Sequence, residues 1–237
     1  MTRDELIRTL REDLKVKKEI VAIKVMKDAP EGIPAYEGQA TPGMCAMVGE
    51  ILREGSHFYA VKENMGCFEA LLATGACRNL PRDEYLAFMV DENKQYPMHR
   101  DAEAVIAYYN RVDEFFKHPK VDGTGIVAGP LALVDDPDLV LLFVTPHQAD
   151  ILNRIRAYYG EYTRGFGGLG GCIFTIRYSY VTGDPAFTTS DTAWRMFAGL
   201  DLNELTYTFP YGKLLQIAYR IKPTADYVDG FTKMFVT

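Results

Sequence analysis

The chain has 237 residues, of which 48% are hydrophobic and 24% are charged, and its formal net charge at pH 7 is −6. A chain of this length and composition predicts an ordinary globular core, built as one large domain or as two small domains that share an interface. The negative charge argues against nucleic acid as a partner, because proteins that bind phosphate backbones usually present a basic surface.

The sequence also argues against export and against a membrane partner. The opening segment "MTRDELIRTLREDL" lacks the apolar stretch of a signal peptide. The longest apolar run, "LVLLFV" at 139–144, is far too short to span a bilayer. We therefore expect a cytoplasmic protein, whose four cysteines stay reduced and do not form a disulfide scaffold.

The first half of the chain predicts helices that alternate with short strands. Thr2 and Glu5 match a capping box at the start of a first helix. Alternating residues over 19–26 predict a central strand, and the proline- and glycine-rich segment 27–43 predicts a loop. Further along, the patterns predict a helix over 44–55, a strand over 57–61, a helix over 67–75 and mostly helical structure over 80–122.

The second half of the chain has the clearest pattern. A buried strand over 136–144 leads into a helix over 145–160, whose capping box joins Thr145 to Gln148. The other elements predicted here are strands over 123–131, 172–181 and 204–210, and a helix over 211–221.

These elements predict one domain over residues 1–223, followed by a C-terminal tail over 224–237. The sequence shows no repeat, low-complexity tract or linker that would divide the domain. Its fold class is α/β or α+β, with a mixed β-sheet flanked by helices. We expect a homodimer, since closed two-fold dimers are the commonest assembly of soluble proteins.

The segment "RGFGGLGGCIF" at 164–174 concentrates glycine immediately before a cysteine. Three of its glycines match the G-x-G-x-x-G pattern of dinucleotide sites, which requires a strand before the loop and a helix after it. The predicted order is the reverse, and this disfavours nucleotide binding. Two interpretations remain, a flexible turn or a loop in which Gly170 and Gly171 clear space around Cys172.

The four cysteines, Cys45, Cys67, Cys77 and Cys172, form no C-x-x-C motif, and free cysteines often simply fill a core. Cys45 and Cys67 nevertheless fall at predicted helix starts, where the helix dipole lowers the pKa of a thiol. Cys172 follows the glycine loop, whereas Cys77 lies beyond a predicted helix end. Three thiolates from separate loops can converge on one metal ion or cluster, and the sequence leaves open whether they meet.

Several motifs of the chain are those of one prokaryotic family. They are "GMCAMVGEILREG", "ENMGCFEALLATG", "GPL…PDLVLLFVTPHQADIL", the later Cys172 before "TGDP", and Arg195 and Gly199 before "YTFPYGKL". At these motifs the chain resembles the domain of unknown function 169 family over nearly its whole length. That family has no settled activity. Its frequency in anaerobes and archaea implies oxygen-sensitive iron–sulfur chemistry.

The chain departs from the family pattern at two places. Many family members carry a fourth cysteine near "TTSDTAW", where this chain has Ser190 and Asp191. The family also often has histidine before the Gly-Cys step, where this chain has Met65. These departures argue against a cluster with four cysteine ligands, unless Asp191 or Cys77 takes the place of the fourth ligand.

Three cationic or titratable residues are candidates for binding a small anionic molecule. His147 lies in the first turn of the helix after the buried strand, at a junction where open α/β sheets bind ligands. Arg177 alternates with tyrosines in "RYSY", and Arg195 belongs to the family motif. Each also has an ordinary interpretation as a surface or strand residue.

Our first hypothesis is a cysteine-ligated metal-cofactor protein, with an iron–sulfur cluster as its cofactor and a small anionic molecule as its ligand. The cluster ligands would be Cys45, Cys67 and Cys172, with Gly170 and Gly171 beside the cofactor. The anion would be bound by His147, Arg177 and Arg195. A cluster held by three thiolates leaves one iron open to act as a Lewis acid.

Two other hypotheses remain open at this stage. One is a small-molecule binding protein without metal or catalysis, in which the cysteines only fill the core. Its pocket would be lined by Phe166, Phe174, Tyr178 and Tyr180. The other is an enzyme that uses Cys172 as its nucleophile.

Overall fold

The computed structural model describes residues 1–38, 43–76, 82–95, 97, 99–108, 121–167 and 171–235. One seven-stranded sheet organises them. Its strands are β1 (Val21–Met26), β2 (Phe58–Val61), β3 (Gly125–Pro130), β4 (Leu139–Val144), β5 (Arg164–Phe166), β6 (Ala186–Thr188) and β7 (Leu205–Pro210). Across the sheet the order is β2-β3-β1-β4-β7-β6-β5. Only β5 and β6 pair in parallel among these neighbours, so the sheet is mixed, as predicted.

Helices cover both faces of this sheet and complete a single α+β domain. They are α1 (Arg3–Glu12), α2 (Met44–Glu54), α3 (Phe68–Thr74), α4 (Arg82–Gln95), α5 (102–108), α6 (Pro146–Tyr158), α7 (Tyr178–Thr182), α8 (Thr192–Ala198), α9 (Tyr211–Ala218) and α10 (Ile221–Phe235). A short 3-10 helix (Lys62–Asn64) follows β2, and a six-residue π-helix (Cys172–Arg177) leads into α7. In the described part of the chain, no helix combines the length and the apolar character that crossing a membrane requires.

The ends of several helices follow directly from local sequence. The backbone N–H of Glu5 donates to Thr2 Oγ1 and the Glu5 carboxylate accepts from the Thr2 N–H, which completes the predicted capping box of α1. Thr145 and Gln148 make the same reciprocal pair at the start of α6. Gly55 ends α2 with a φ of 69°, a left-handed conformation that glycine adopts without strain.

Strand β4 shows how the sheet separates two hydrophobic clusters. Val140, Leu142 and Val144 belong to a cluster that includes buried residues of α1, α6, α9 and α10. The intervening residues of β4 belong to a second cluster, on the opposite face, with residues of α2, α3, α8 and the π-helix. A third, smaller cluster joins α3, α4 and α5 to the π-helix. Because β4 is buried on both faces, its sequence is a continuous apolar run.

The predicted strand over 172–181 is wrong, because the structure forms the π-helix and α7 there. The β-branched and aromatic residues of this segment favour a strand when only local propensity is considered. In the fold the segment is buried on two sides. Cys172 and Ile176 pack into the second cluster, whereas Ile173 and Phe174 pack into the third. Helical geometry allows one short segment to fill both clusters.

The C-terminal residues join the same core as the rest of the domain. Ala225 and Val228 of α10 are buried in the cluster that contains α1 and α6. The domain boundary predicted after residue 223 falls within α10. Within the region 80–122, predicted to be mostly helical, the structure has α4 and α5, and residues 109–120 lie outside the described residues.

Helices α2 and α8 approach each other at Gly49. A Cβ atom at this position would collide with the backbone carbonyl oxygen of Phe197 in α8. The same carbonyl accepts a hydrogen bond from Arg53 Nη1 at 2.9 Å. Glycine at 49 therefore allows the two helices to pack with their backbones nearly in contact.

We expect Gly49→Ala to lower the free energy of unfolding by about 1–3 kcal/mol, because the added methyl group forces the two helices apart. Urea-induced unfolding followed by circular dichroism measures this change. Gly212→Ala in α9 is the matched control, since its Cβ would meet no atom within 4 Å. The control should be neutral or stabilising by about 0.5–1 kcal/mol, the usual cost of glycine in a helix. Equal effects at both positions would contradict the close approach of α2 and α8.

Candidate functional site

Three cysteines lie at the beginnings of three different helices. Cys45 is the second residue of α2, after the N-cap Gly43. Cys67 is the N-cap of α3, and Cys172 is the first residue of the π-helix. The helix starts at Cys45 and Cys67 confirm the sequence predictions, whereas Cys172 was expected to begin a strand. All three thiols are free.

The fold brings these cysteines to one place, on the face of the sheet covered by α2, α3 and α8. A Cβ atom at Gly43 would lie 3.2 Å from Cys45 Sγ and 3.7 Å from Cys67 Sγ, so the two sulfur atoms flank the same small space. Cys172 is buried in the same cluster as Cys45, and Cys67 packs against that cluster. Cys45 and Cys67 both act electrostatically on the pKa of Cys172.

Burial dominates the protonation of these thiols. Cys45 and Cys172 are buried and Cys67 is half-buried. Desolvation raises the pKa of Cys45 from 9.0 to about 12, and it is also the largest cause of the raised pKa of Cys67 and Cys172. Backbone N–H groups near Cys45 and Cys67 lower the pKa, but by less. The helix starts at Cys45 and Cys67 therefore lower the pKa as expected, but burial outweighs them and the net pKa of both thiols is raised.

Two carboxylates add negative charge around the cysteines. Glu69 lies in the first turn of α3, and Asp191 is the buried N-cap of α8. Both raise the pKa of Cys45 and of Cys172. Ionising a thiol here would place a second negative charge close to an existing one, which is costly in a buried environment.

Asp191 also connects the start of α8 with the residue that precedes Cys172. Its Oδ1 accepts a hydrogen bond from the backbone N–H of Trp194 at 2.8 Å. Its Oδ2 accepts one from the backbone N–H of Gly171 at 3.1 Å. Asp191, which lies where many family members are expected to carry a cysteine nearby, therefore holds the start of α8 next to the residue before Cys172.

Gly171 lies against the indole ring of Trp194. A Cβ atom at Gly171 would lie 2.5 Å from Trp194 Nε1 and 2.8 Å from Cδ1, closer than van der Waals contact permits. Its φ of −49° is ordinary helical backbone, so glycine is required here for space rather than for conformation. Gly170, the other glycine predicted beside the cofactor, lies outside the described residues.

The order of elements around the glycine loop differs from the prediction. Strand β5 contains Gly165, the first glycine of the motif, and the π-helix begins shortly after the last, so the segment runs from a strand into a helix and not from a helix into a strand. The argument from order against a nucleotide is therefore wrong. A different observation disfavours a phosphate, because the Gly171 N–H at the start of this helix already donates to the Asp191 carboxylate. A phosphate there would be repelled by that negative charge.

The two arginines proposed to bind an anion both contact backbone carbonyl groups. Arg177 is buried, its Nη1 donates to the carbonyl of Leu72 at 3.1 Å, and burial lowers its pKa. Arg195 Nη2 donates to the carbonyl of Thr189 at 2.6 Å, and Nη1 donates to that of Asp201. Arg195 therefore joins the segments before and after α8, while Arg177 shares the π-helix with Cys172.

His147 lies away from the cysteines. It belongs to the first turn of α6, which packs on the opposite face of the sheet. Its Nε2 lies 2.8 Å from Oδ1 of Asp229 on α10, and both side chains are about half exposed. The structure therefore does not bring His147 together with the predicted metal ligands.

Three of the four aromatic residues proposed to line a small-molecule pocket meet at Phe166. The rings of Phe166 and Phe174 stack with centroids 5.1 Å apart, and Tyr178 meets Phe166 edge-on at 5.6 Å. The guanidinium of Arg164 lies over the Phe166 and Tyr178 rings. Tyr180 instead packs against the cluster that contains Cys45 and Cys172.

A search of the described residues finds no group of three or more His, Cys, Asp or Glu side chains arranged to hold a metal ion. In a mononuclear thiolate site such as that of zinc, every sulfur lies about 2.3 Å from the same ion, so the sulfur atoms crowd together. Cys45, Cys67 and Cys172 do not form such a group in the described part of the chain. Cys77 lies outside the described residues.

Comparison with known proteins identifies the family of the chain. The model of the DUF169 family, described as uncharacterised ArCR, matches residues 9–220. The chain therefore belongs to this family, as its motifs indicated. No curated protein and no solved structure matches the chain.

We expect the three thiols of the metal-free, folded protein to react slowly with iodoacetamide near neutral pH. Their raised pKa leaves less thiolate than in an exposed cysteine, and burial restricts access. Peptide mass spectrometry after timed labelling gives the rate at each residue. Protein unfolded in urea is the control and should react at the rate of a free thiol. Fast labelling of Cys172 alone would contradict this prediction and would favour the nucleophile hypothesis.

We expect Gly171→Ala to displace the indole ring and to lower the free energy of unfolding by about 1–3 kcal/mol. Trp194 is the only tryptophan of the chain and is 1% exposed, so a red shift of the protein's fluorescence reports its displacement. Gly167→Ala is the matched control, since its Cβ would meet no atom within 4 Å. An unchanged spectrum for Gly171→Ala would contradict the close approach.

Proposed function

We propose that this protein binds an iron–sulfur cluster through Cys45, Cys67 and Cys172. The observation that carries the proposal is the convergence of three free thiols, each from the start of a different helix, in one largely buried site. Core cysteines that only fill space have no reason to share this placement. Thiolates at helix starts are stabilised by backbone N–H groups and by the helix dipole.

The electrostatics of the site support a cationic occupant. When no cation is present, Glu69 raises the pKa of all three cysteines, and Asp191 raises the pKa of Cys45 and Cys172. Metal binding releases the thiol protons, and the charge of the metal then compensates the thiolates and carboxylates. The arrangement is therefore unfavourable for isolated thiolates and favourable for thiolates that share a multiply charged group.

A cluster suits three thiols that come from the starts of three different helices. In a cluster each thiolate binds a different iron, so the sulfur atoms lie further apart than around one ion. Gly43 leaves free the space that a side chain would fill between Cys45 Sγ and Cys67 Sγ. Three protein thiolates leave one iron of a four-iron cluster without a cysteine, and such an iron supplies Lewis-acid chemistry.

The residues around the cysteines have separate parts in this proposal. Asp191 holds Gly171, and with it the start of the helix that carries Cys172, by a hydrogen bond of 3.1 Å. Of the three residues considered for an anionic molecule, Arg177 alone shares an element with a proposed ligand, so we retain it as the candidate. A reducing compartment keeps the thiols available, and we therefore propose a cytoplasmic location.

We expect the full-length protein to acquire iron, acid-labile sulfide and broad visible absorbance on anaerobic reconstitution. Single Cys→Ser changes at 45, 67 or 172 should each lower the iron content by about half or more, because each removes a ligand. Iron and sulfide analysis together with the visible spectrum measure this. Met47→Leu is the matched control, a volume-conserving change in the same cluster that leaves the thiols intact.

Two outcomes would contradict the proposal. One is a colourless, iron-free protein after reconstitution, and the other is iron content that none of the three Cys→Ser changes alters. Either result would leave the hypothesis of a small-molecule binding protein without metal.

A further inference from the structure

The indole N–H of Trp194 is a buried donor that meets no acceptor in the described part of the chain. The side chain is 1% exposed, and among the described residues Nε1 has no hydrogen-bond partner. Unsatisfied buried donors are rare in native proteins, since the donor loses its bond to water and gains none in return. The position of this donor therefore needs an explanation.

The fold holds this donor next to the cysteine site. Nε1 lies against Gly171, the residue before Cys172, at a distance that only glycine permits. The indole belongs to the same buried cluster as Cys45 and Cys172. Asp191 fixes both sides of this contact, since its carboxylate accepts from the backbone N–H of Trp194 and from that of Gly171. Phe143 packs beside the ring, with centroids 6.2 Å apart.

The chemistry of the neighbouring atoms indicates which acceptor the indole would take. A protonated thiol is a weak acceptor, whereas a metal-bound thiolate or inorganic sulfide carries negative charge and accepts strong hydrogen bonds. Indole N–H is a donor only, so it cannot itself bind a metal. It can bind a negatively charged sulfur held by the cysteines.

We infer that Trp194 donates a hydrogen bond from Nε1 to a sulfur atom of the group that the three cysteines bind, and thereby raises its reduction potential. This inference rests on the proposed iron–sulfur cluster. Hydrogen bonds to the sulfur atoms of a cluster stabilise its reduced, more negative state, and their removal lowers the potential. Trp194 is thus a positioning and tuning residue rather than a ligand.

The test compares midpoint potentials of reconstituted full-length protein, measured by anaerobic redox titration followed in the visible spectrum. We expect Trp194→Phe to retain its iron and sulfide content and to be harder to reduce. A tenfold change in the reduction equilibrium is about 59 mV for one electron, and we expect a negative shift of about this size.

The single tryptophan allows the N–H to be removed while the shape of the ring is kept. Protein labelled with a tryptophan analogue that has sulfur in place of the ring N–H isolates the donor from the packing. A negative shift in the labelled protein supports the inference, and this protein decides the question if Trp194→Phe does not fold.

An unchanged reduction potential in the labelled protein, with normal iron content, would overturn the inference that Trp194 donates this hydrogen bond. The proposed cluster would not be contradicted by that result. A shift in Trp194→Phe without one in the labelled protein would also overturn the inference, since packing would then be the cause. Failure of the unmodified protein to take up iron and sulfide would overturn the proposed function and this inference together.

Discussion

The cysteine site depends on the two hydrogen bonds that the carboxylate of Asp191 accepts. This carboxylate caps α8 through the backbone N–H of Trp194 and holds the backbone N–H of Gly171, one residue before Cys172. Helix α8 in turn packs closely against α2, which carries Cys45. One buried side chain therefore connects the start of the helix that carries Cys172 with α8, the helix that packs against α2. Its charge acts on the same thiols that its hydrogen bonds position.

The site balances two opposing electrostatic effects. Helix starts favour thiolates, because unpaired backbone N–H groups and the helix dipole stabilise negative charge. Burial and the nearby carboxylates favour neutral thiols, and in the protein without a cation these effects are the larger. A bound cation would offset the cost of ionising the thiols. The helix starts would then stabilise the thiolates further, so this balance favours a cationic ligand.

The two faces of the sheet separate the candidate residues. The cysteines, Asp191 and Trp194 lie on the face covered by α2, α3 and α8, whereas His147 lies with α6 and α10 on the other. A buried sheet whose side chains alternate between faces keeps these two groups apart. The residues of the proposed cysteine site therefore lie together on one face, and His147 is separated from them by the sheet. The sequence motifs did not indicate that Trp194 lies at the cysteine site, although it is the single tryptophan of the chain.

The sequence by itself determined the features that depend on residues close together along the chain. Capping boxes at Thr2 and Thr145, the apolar run of β4 and the helix starts at Cys45 and Cys67 are set by interactions across a few residues. Only the tertiary structure decided that residues 172–181 form helices, that Cys172 joins the other cysteines and that Gly171 meets Trp194. These features depend on contacts between residues distant in sequence, where burial on two sides outweighs local propensity.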